Sequence, residues 1–207
     1  MKTIIIVFAK PPILGKVKSR LGMEVGKEAS LWIYKKLLYH TSKVTLKSKL
    51  KTVLFGNKVS PILKTIFKHV NKFQIQKGED LGSKMENAFG WAFSKKYKKV
   101  ILIGSDLWSL DEETLIEAEK ALEYNDLVIG PCYDGGYYLI GMKKLNDKLF
   151  KGISWGEQKV FKQTLSKVSE NSVYYLNIKN DIDNEQSLKS HKPLYDLYKK
   201  TFFKNVK

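Results

Sequence analysis

Cysteine, arginine and histidine are all scarce in this chain. It has one cysteine, Cys132, one arginine, Arg20, and three histidines in 207 residues. A lone cysteine excludes an intramolecular disulfide and a thiolate metal cluster. His40, His69 and His191 fall in helical contexts without a partner pattern, and no Ser-His-Asp or Cys-His arrangement is visible. No apolar run approaches the ~20 residues of a membrane span. The opening run Thr3 to Ala9 has the look of a short signal segment. It stops at Lys10-Pro11-Pro12 without a small-residue cleavage site, so it reads as a buried strand and the protein as cytoplasmic. There is no internal repeat and no Pro/Gly/Ser-rich boundary, so residues 1–207 read as one domain.

Lysine is what the chain has in excess. Of 37 basic residues 36 are lysines, set against 21 acids, for a formal charge of +16. Pairs such as Lys35-Lys36, Lys95-Lys96 and Lys98-Lys99 spread that charge over helix faces. A dispersed lysine excess is first of all a solubility feature. An anionic partner is the sharper reading. Nucleic acid is disfavoured, because its readers rely on arginine's bidentate fork and no nucleic-acid motif is present. A phosphate-bearing small molecule remains.

The hydrophobic pattern alternates. Strand-like runs occur at Thr3–Ala9, Thr52–Phe55, Phe73–Gln76, Lys99–Gly104, Leu127–Gly130, Tyr137–Met142 and Val173–Ile178. Helical stretches fall at about 24–47, from Ser60-Pro61 onward, and at 81–97, 111–124, 158–167 and 184–202. Strands alternating with helices predict an α/β fold, a three-layer α/β/α sandwich on a mostly parallel sheet. Ligands of such sheets lie at the carboxyl ends of the strands, so the loops there carry the chemistry.

The first loop places Lys10, Lys16, Lys18 and Arg20 within eleven residues after the first strand. Pro11-Pro12 stiffens it, and Gly15 lets backbone approach a ligand. The sole arginine sits where a planar fork for phosphate oxygens is most useful. A solvated lysine loop is the plainer reading. Clustering after the first strand favours a polyphosphate. In the third loop Gly78 and Gly82 flank Asp80, an N-cap candidate, so a helix N-terminus there faces an anion or a base edge, or is an ordinary turn.

The fourth strand ends at Gly104-Ser105-Asp106. Asp111 is the better helix cap, which frees Asp106 for a magnesium ion, an ion that takes one or two carboxylates plus phosphates and water. Asp134-Gly135-Gly136 is a hairpin turn or part of a pocket, with Tyr137 and Tyr138 on opposite faces of the following strand. Cys132 reads as a small core residue. After the last strand Asp181 and Asp183 alternate. One of them could complete a metal site begun by Asp106, or Asp183 could cap the last helix.

Taken in order, Phe8-Ala9-Lys10-Pro11, Lys18-Ser19-Arg20-Leu21, Gly78-Glu79-Asp80-Leu81-Gly82, Gly104-Ser105-Asp106, Gly130-Pro131, Asp134-Gly135-Gly136-Tyr137-Tyr138 and Asp181-Ile182-Asp183 resemble one family. It is a bacterial family of small GT-A-fold, glycosyltransferase-like proteins, formerly a domain of unknown function. Some members are linked to radical-SAM genes and arsenosugar biosynthesis, and the family is related to 2-phospholactate guanylyltransferase. The resemblance runs from about residue 3 to 190. It implies a nucleotide-diphospho-sugar transferase fold and a nucleotide or nucleotide-sugar donor over Lys10, Gly15, Lys18, Arg20, Gly78, Asp80 and Gly82. It also implies a Mg2+ or Mn2+ ion on Asp106 and Asp183, and Asp134 acting on a small-molecule acceptor beside Tyr137 and Trp108. Two departures stand out: Asp106-Leu107-Trp108 lacks the proline usual after the acid, and Lys84 replaces the usual arginine.

Overall fold

A computed structural model describes residues 2–169 and 172–203. Seven strands form one sheet: β1 Thr3–Ala9, β2 Lys51–Gly56, β3 Phe73–Ile75, β4 Lys99–Ile103, β5 Leu127–Pro131, β6 Tyr137–Met142 and β7 Val173–Tyr175. Their order is β3-β2-β1-β4-β6-β5-β7, and β6 alone runs antiparallel to its neighbours. The helices are α1 Ser19–Val25, α2 Lys27–Lys47, α3 Pro61–Ile66, α4 Leu81–Ser94, α5 Glu112–Tyr124, α6 Val160–Leu165, α7 Glu185–Ser190 and α8 Lys192–Phe202. The α/β fold expected from the alternating pattern is the one observed.

The central strand β1 shows why both faces need cover. Ile5 and Val7 enter a core beside Leu38 of α2 and Leu115 and Leu122 of α5. Ile4 and Ile6 point the other way, into a core with Met85, Phe89 and Ala92 of α4. Successive side chains alternate faces, so a continuous apolar run is what a strand covered twice requires. A third core joins α1, α2, α7 and α8 through Leu21, Ile33, Leu37, Ile182, Leu188 and Leu194.

Several boundaries differ from expectation, each for a local reason. The helix expected over 24–47 starts at Lys27, because Gly26 adopts φ 87° and turns the chain after a short unexpected helix, α1. The C-terminal stretch also splits, at His191, where Pro193 occupies the first turn of α8. The strands at 73–76 and 173–178 are shorter than their apolar runs, because each lies at an edge of the sheet with one paired neighbour. Helix 158–167 contracts to α6.

Lys99 starts β4 with only 1% of its side chain exposed. Its Nζ donates to Glu119 O (2.9 Å), Glu119 Oε1 (3.0 Å) and Glu123 Oε1 (3.1 Å). Both glutamates keep access to water, so an apolar side chain of similar length leaves no stranded charge. Lys99→Met should therefore cost less than about 2 kcal/mol in urea unfolding. A larger loss would show that the ammonium itself holds β4 against α5.

Candidate active site

The parallel strands end on one side of the sheet, and two adjoining cavities open there. The first, about 570 Å³, is lined by the β1 loop, the tip of β4 and the start of α4. The second, about 220 Å³, lies beyond Asp106, between the β5–β6 turn and the segment before α6. Leu81, Gly104, Asp106, Tyr137 and Tyr138 line both and form their common wall.

The cations of the β1 loop converge on the first cavity. Lys10, Lys16, Lys18 and Arg20 all line it, as do Asp106 and Asp183. Lys18 Nζ lies 3.2 Å from Asp106 Oδ1, and its side chain is 5% exposed. Arg20 Nη1 donates to Asp183 Oδ2 at 2.7 Å. That hydrogen bond and the Asp183 charge raise the Arg20 pKa above its usual value. Tyr34 anchors the loop from α2: its hydroxyl accepts from Lys10 N (2.9 Å) and donates to Lys10 O (3.0 Å). Burial, with Asp106 nearby, pushes this phenol upward, so it stays protonated.

The third loop forms a capped turn into α4. The Asp80 carboxylate accepts from Ser83 N at 2.7 Å and from Ser83 Oγ, closing a capping box on α4. Gly78 adopts φ 129°, and a Cβ there would lie 2.4 Å from Ser83 Oγ. A Cβ on Gly82 would lie 2.6 Å from Trp155 Nε1. None of the three lines either cavity, so they shape the turn, and Gln76, Leu81 and Met85 are what the loop presents to the cleft. Gln76 Nε2 is spent on Phe55 O at 3.0 Å. Gly15, at φ 69°, likewise bends the first loop without lining the cleft.

Trp108, expected beside the acceptor, does not line either cavity. It lies tilted against His40 with ring centroids 4.8 Å apart and packs against the helical core of α1, α2, α7 and α8. Leu107 beside it is buried in the core under α5, while Trp108 covers the helical core. His40 Nε2 contacts Leu110 O at 2.7 Å, and burial lowers its pKa.

The second cavity is acidic. Asp106, Asp134, Glu157 and Asp181 line it, with no lysine or arginine among the described residues. Asp134 Oδ1 accepts from Gly136 N at 2.9 Å, while Gly135 at φ 86° lies so close to Gln158 O that a Cβ would sit 2.1 Å away. Tyr137 lines both cavities and meets Trp155 edge-on, with centroids 6.5 Å apart. Ligand atoms of Cys132, Asp134 and Asp181 lie within 4.8 Å of one another. Burial and the charges of Asp134 and Asp106 push the Asp181 carboxyl up to about 6, and burial drives the Cys132 thiol far above its usual range.

Asp181 is the residue that sequence reasoning left undecided. Ile182 between the two acids is fully buried in the helical core, so both carboxylates turn from that core toward the cleft. Asp183 reaches Arg20, and Asp181 reaches the second cavity. Capping falls to Asn184, whose side chain accepts from Ser187 N, so Asp183 is not the cap. Glu157 and Trp155 carry no motif and are found only through the fold.

No curated protein matches the chain. Among solved structures, it is similar to a candidate nucleotide-diphospho-sugar transferase from Desulfovibrio desulfuricans G20. That pair is 29% identical with a TM-score of 0.82, over 95% of this chain and 98% of that one. Two more distant likenesses concern the fold alone. The 4-diphosphocytidyl-2C-methyl-D-erythritol synthase of Anaerococcus prevotii is 14% identical, with a TM-score of 0.62 over 93% and 96% of the chains. Rv0371C of Mycobacterium tuberculosis H37Rv, solved as a complex with manganese, is 12% identical, with a TM-score of 0.56 over 92% and 97%. Residues 44–157, more than half of the chain, match the family described as "uncharacterized protein conserved in bacteria (DUF2064)", and the chain belongs to that family.

Proposed function

We propose that this protein is a transferase acting on a nucleotide-activated donor, foremost a nucleotide-sugar glycosyltransferase. The observation that carries the reading is the first cavity, where Lys10, Lys16, Lys18 and Arg20 face Asp106 and Asp183 at the carboxyl ends of parallel strands. Cations on one wall suit a diphosphate, and acids opposite suit the hard cation that accompanies it. The likeness to the Desulfovibrio protein, by its description a nucleotide-diphospho-sugar transferase candidate, points the same way.

The donor set also fits a metal. Asp106 and Asp183 offer oxygen only, which suits Mg2+ or Mn2+, and both line the first cavity. When bound, the ion would neutralise phosphate charge and polarise the leaving group. Lys18 and Arg20, now paired with these acids, would then turn to phosphate oxygens and stabilise the departing nucleotide. Cys132 takes no part in this: as a neutral buried thiol it is a poor ligand for a hard ion. Asp134, fixed by its turn, would orient the acceptor hydroxyl and accept its proton. Tyr137 forms the wall between donor and acceptor.

Four cations in the first loop also favour a second reading, nucleotidyl transfer with pyrophosphate as leaving group. One experiment separates the two. The protein is incubated with nucleoside triphosphates and with nucleotide sugars, with Mg2+ or Mn2+ and a panel of small acceptors. Nucleoside diphosphate release supports glycosyl transfer, and pyrophosphate release supports nucleotidyl transfer. Metal-dependent nucleotide binding with neither product would leave a non-catalytic nucleotide-binding module, and the transferase reading would fall.

A further inference from the structure

The charge of this molecule is partitioned against its own average. A chain of net charge +16 has built a cavity whose charged lining is entirely acidic. The first cavity holds four cations against two acids, and the second holds Asp106, Asp134, Glu157 and Asp181 against none. Lys18 reaches Asp106 only from the first cavity's side. Lys179, whose backbone pairs with Cys132 at the rim, turns its ammonium away to Ser109 O (2.7 Å) and Asp111 (3.2 Å). A metal held by Asp106 and Asp183 would leave Asp134, Glu157 and Asp181 without a cation lining their own cavity, with Lys18 and Arg20 acting on them from the first cavity.

An anion entering this space would meet the negative field of three carboxylates, with Asp134 and Glu157 exposed at its mouth and Asp181 set deeper. A hydroxyl or an ammonium would instead find acceptors already in place. The rest of the lining, Leu107, Leu110, Val160 and the Tyr137–Trp155 pair, gives an apolar face for a carbon frame. At about 220 Å³ the cavity admits a small molecule and excludes a second nucleotide.

We propose that the second cavity is the acceptor pocket, and that it selects a small acceptor bearing hydroxyl or protonated amine groups and no carboxylate or phosphate. The inference rests on the transferase reading for the first cavity and goes beyond it by naming the acceptor's charge class.

The cavity carries its own reporter. Cys132 is the sole cysteine and lines it, so a thiol reagent that adds one group to the protein reads this space alone. Three methanethiosulfonates of similar size serve as probes, ending in a trimethylammonium, a hydroxyl and a sulfonate. The thiolate attacks the thiosulfonate sulfur and expels methanesulfinate, leaving a mixed disulfide that mass spectrometry counts. Dividing each rate by its rate with mercaptoethanol removes the reagents' intrinsic differences. Comparing the reagents cancels the reluctance of this thiol to ionise.

At low ionic strength the ammonium reagent should outpace the sulfonate by at least about tenfold, with the hydroxyl reagent between. Asp134→Asn with Glu157→Gln should bring that ratio back toward one. Equal rates of the ammonium and sulfonate reagents would overturn the inference. A ratio abolished by millimolar Mg2+ or Mn2+ would also overturn it, since these acids would then be the metal's ligands. Labelling needs no donor, so the two readings fail separately. A protein that transfers without the ratio loses the acceptor inference, and one with the ratio that transfers nothing loses the donor reading.

Discussion

Asp106→Asn should reduce donor turnover by about 10²–10³-fold, the cost of removing one group that stabilises charge in the transition state. The side chain stands at the tip of β4, between the two cavities, and is the one carboxylate that lines both while contacting a cation of the first loop. Asparagine keeps its shape, and its amide oxygen can still accept from Lys18, so the fold should survive. Unfolding midpoints of the two proteins should therefore stay close, and circular dichroism should be unchanged. Mn2+ binding, read by electron paramagnetic resonance in the presence of nucleotide, should weaken together with turnover. A variant retaining more than a tenth of the activity would remove Asp106 from the chemistry, and unchanged Mn2+ affinity would remove it from the metal.

How much of this site could be read from the chain alone depended on the kind of signal each residue carried. Lys10, Lys18, Arg20 and Asp106 follow directly after apolar runs, and strand periodicity alone placed those loops at the ligand-bearing edge. Asp134 stood in a Gly-Gly turn whose conformational demand is visible as composition. Gly78, Asp80 and Gly82 were equally visible, and the structure sets them in the turn into α4, where the Asp80 carboxylate accepts from Ser83 N. The side-chain direction of Trp108 was not legible, because it packs on a core built by α1, α2, α7 and α8 from elsewhere in the chain. Glu157 and Asp181 became site residues only through long-range assembly. One lies before a short helix, and the other is sorted from Asp183 by the burial of Ile182. The acidity of the second cavity could not be read from a net charge of +16, because composition averages over surfaces that the fold keeps apart.

Lys18 lets function be separated from stability at a single position. It holds φ 47° and ψ 48° at the cap of α1, a left-handed conformation that costs an L residue about 1–2 kcal/mol. A residue free to be glycine would relieve that strain, so a lysine kept there has its reason in the ammonium, 3.2 Å from Asp106 and almost wholly covered. Lys18→Gly should remove the strain while losing the ion pair and gaining unfolded-state entropy. These effects oppose one another, and the unfolding free energy should move by no more than about 1 kcal/mol. Lys18→Ala loses the same ammonium but keeps the strained backbone, so it should be less stable than the glycine variant by about 1 kcal/mol. Both variants should lose about 10²-fold in donor turnover, equally, since they lack the same cation opposite the leaving group. Urea unfolding of the three proteins beside product-release rates makes the comparison. If alanine and glycine differ in activity as they differ in stability, the backbone turn governs the site. If they are equally inactive at different stabilities, the charge does.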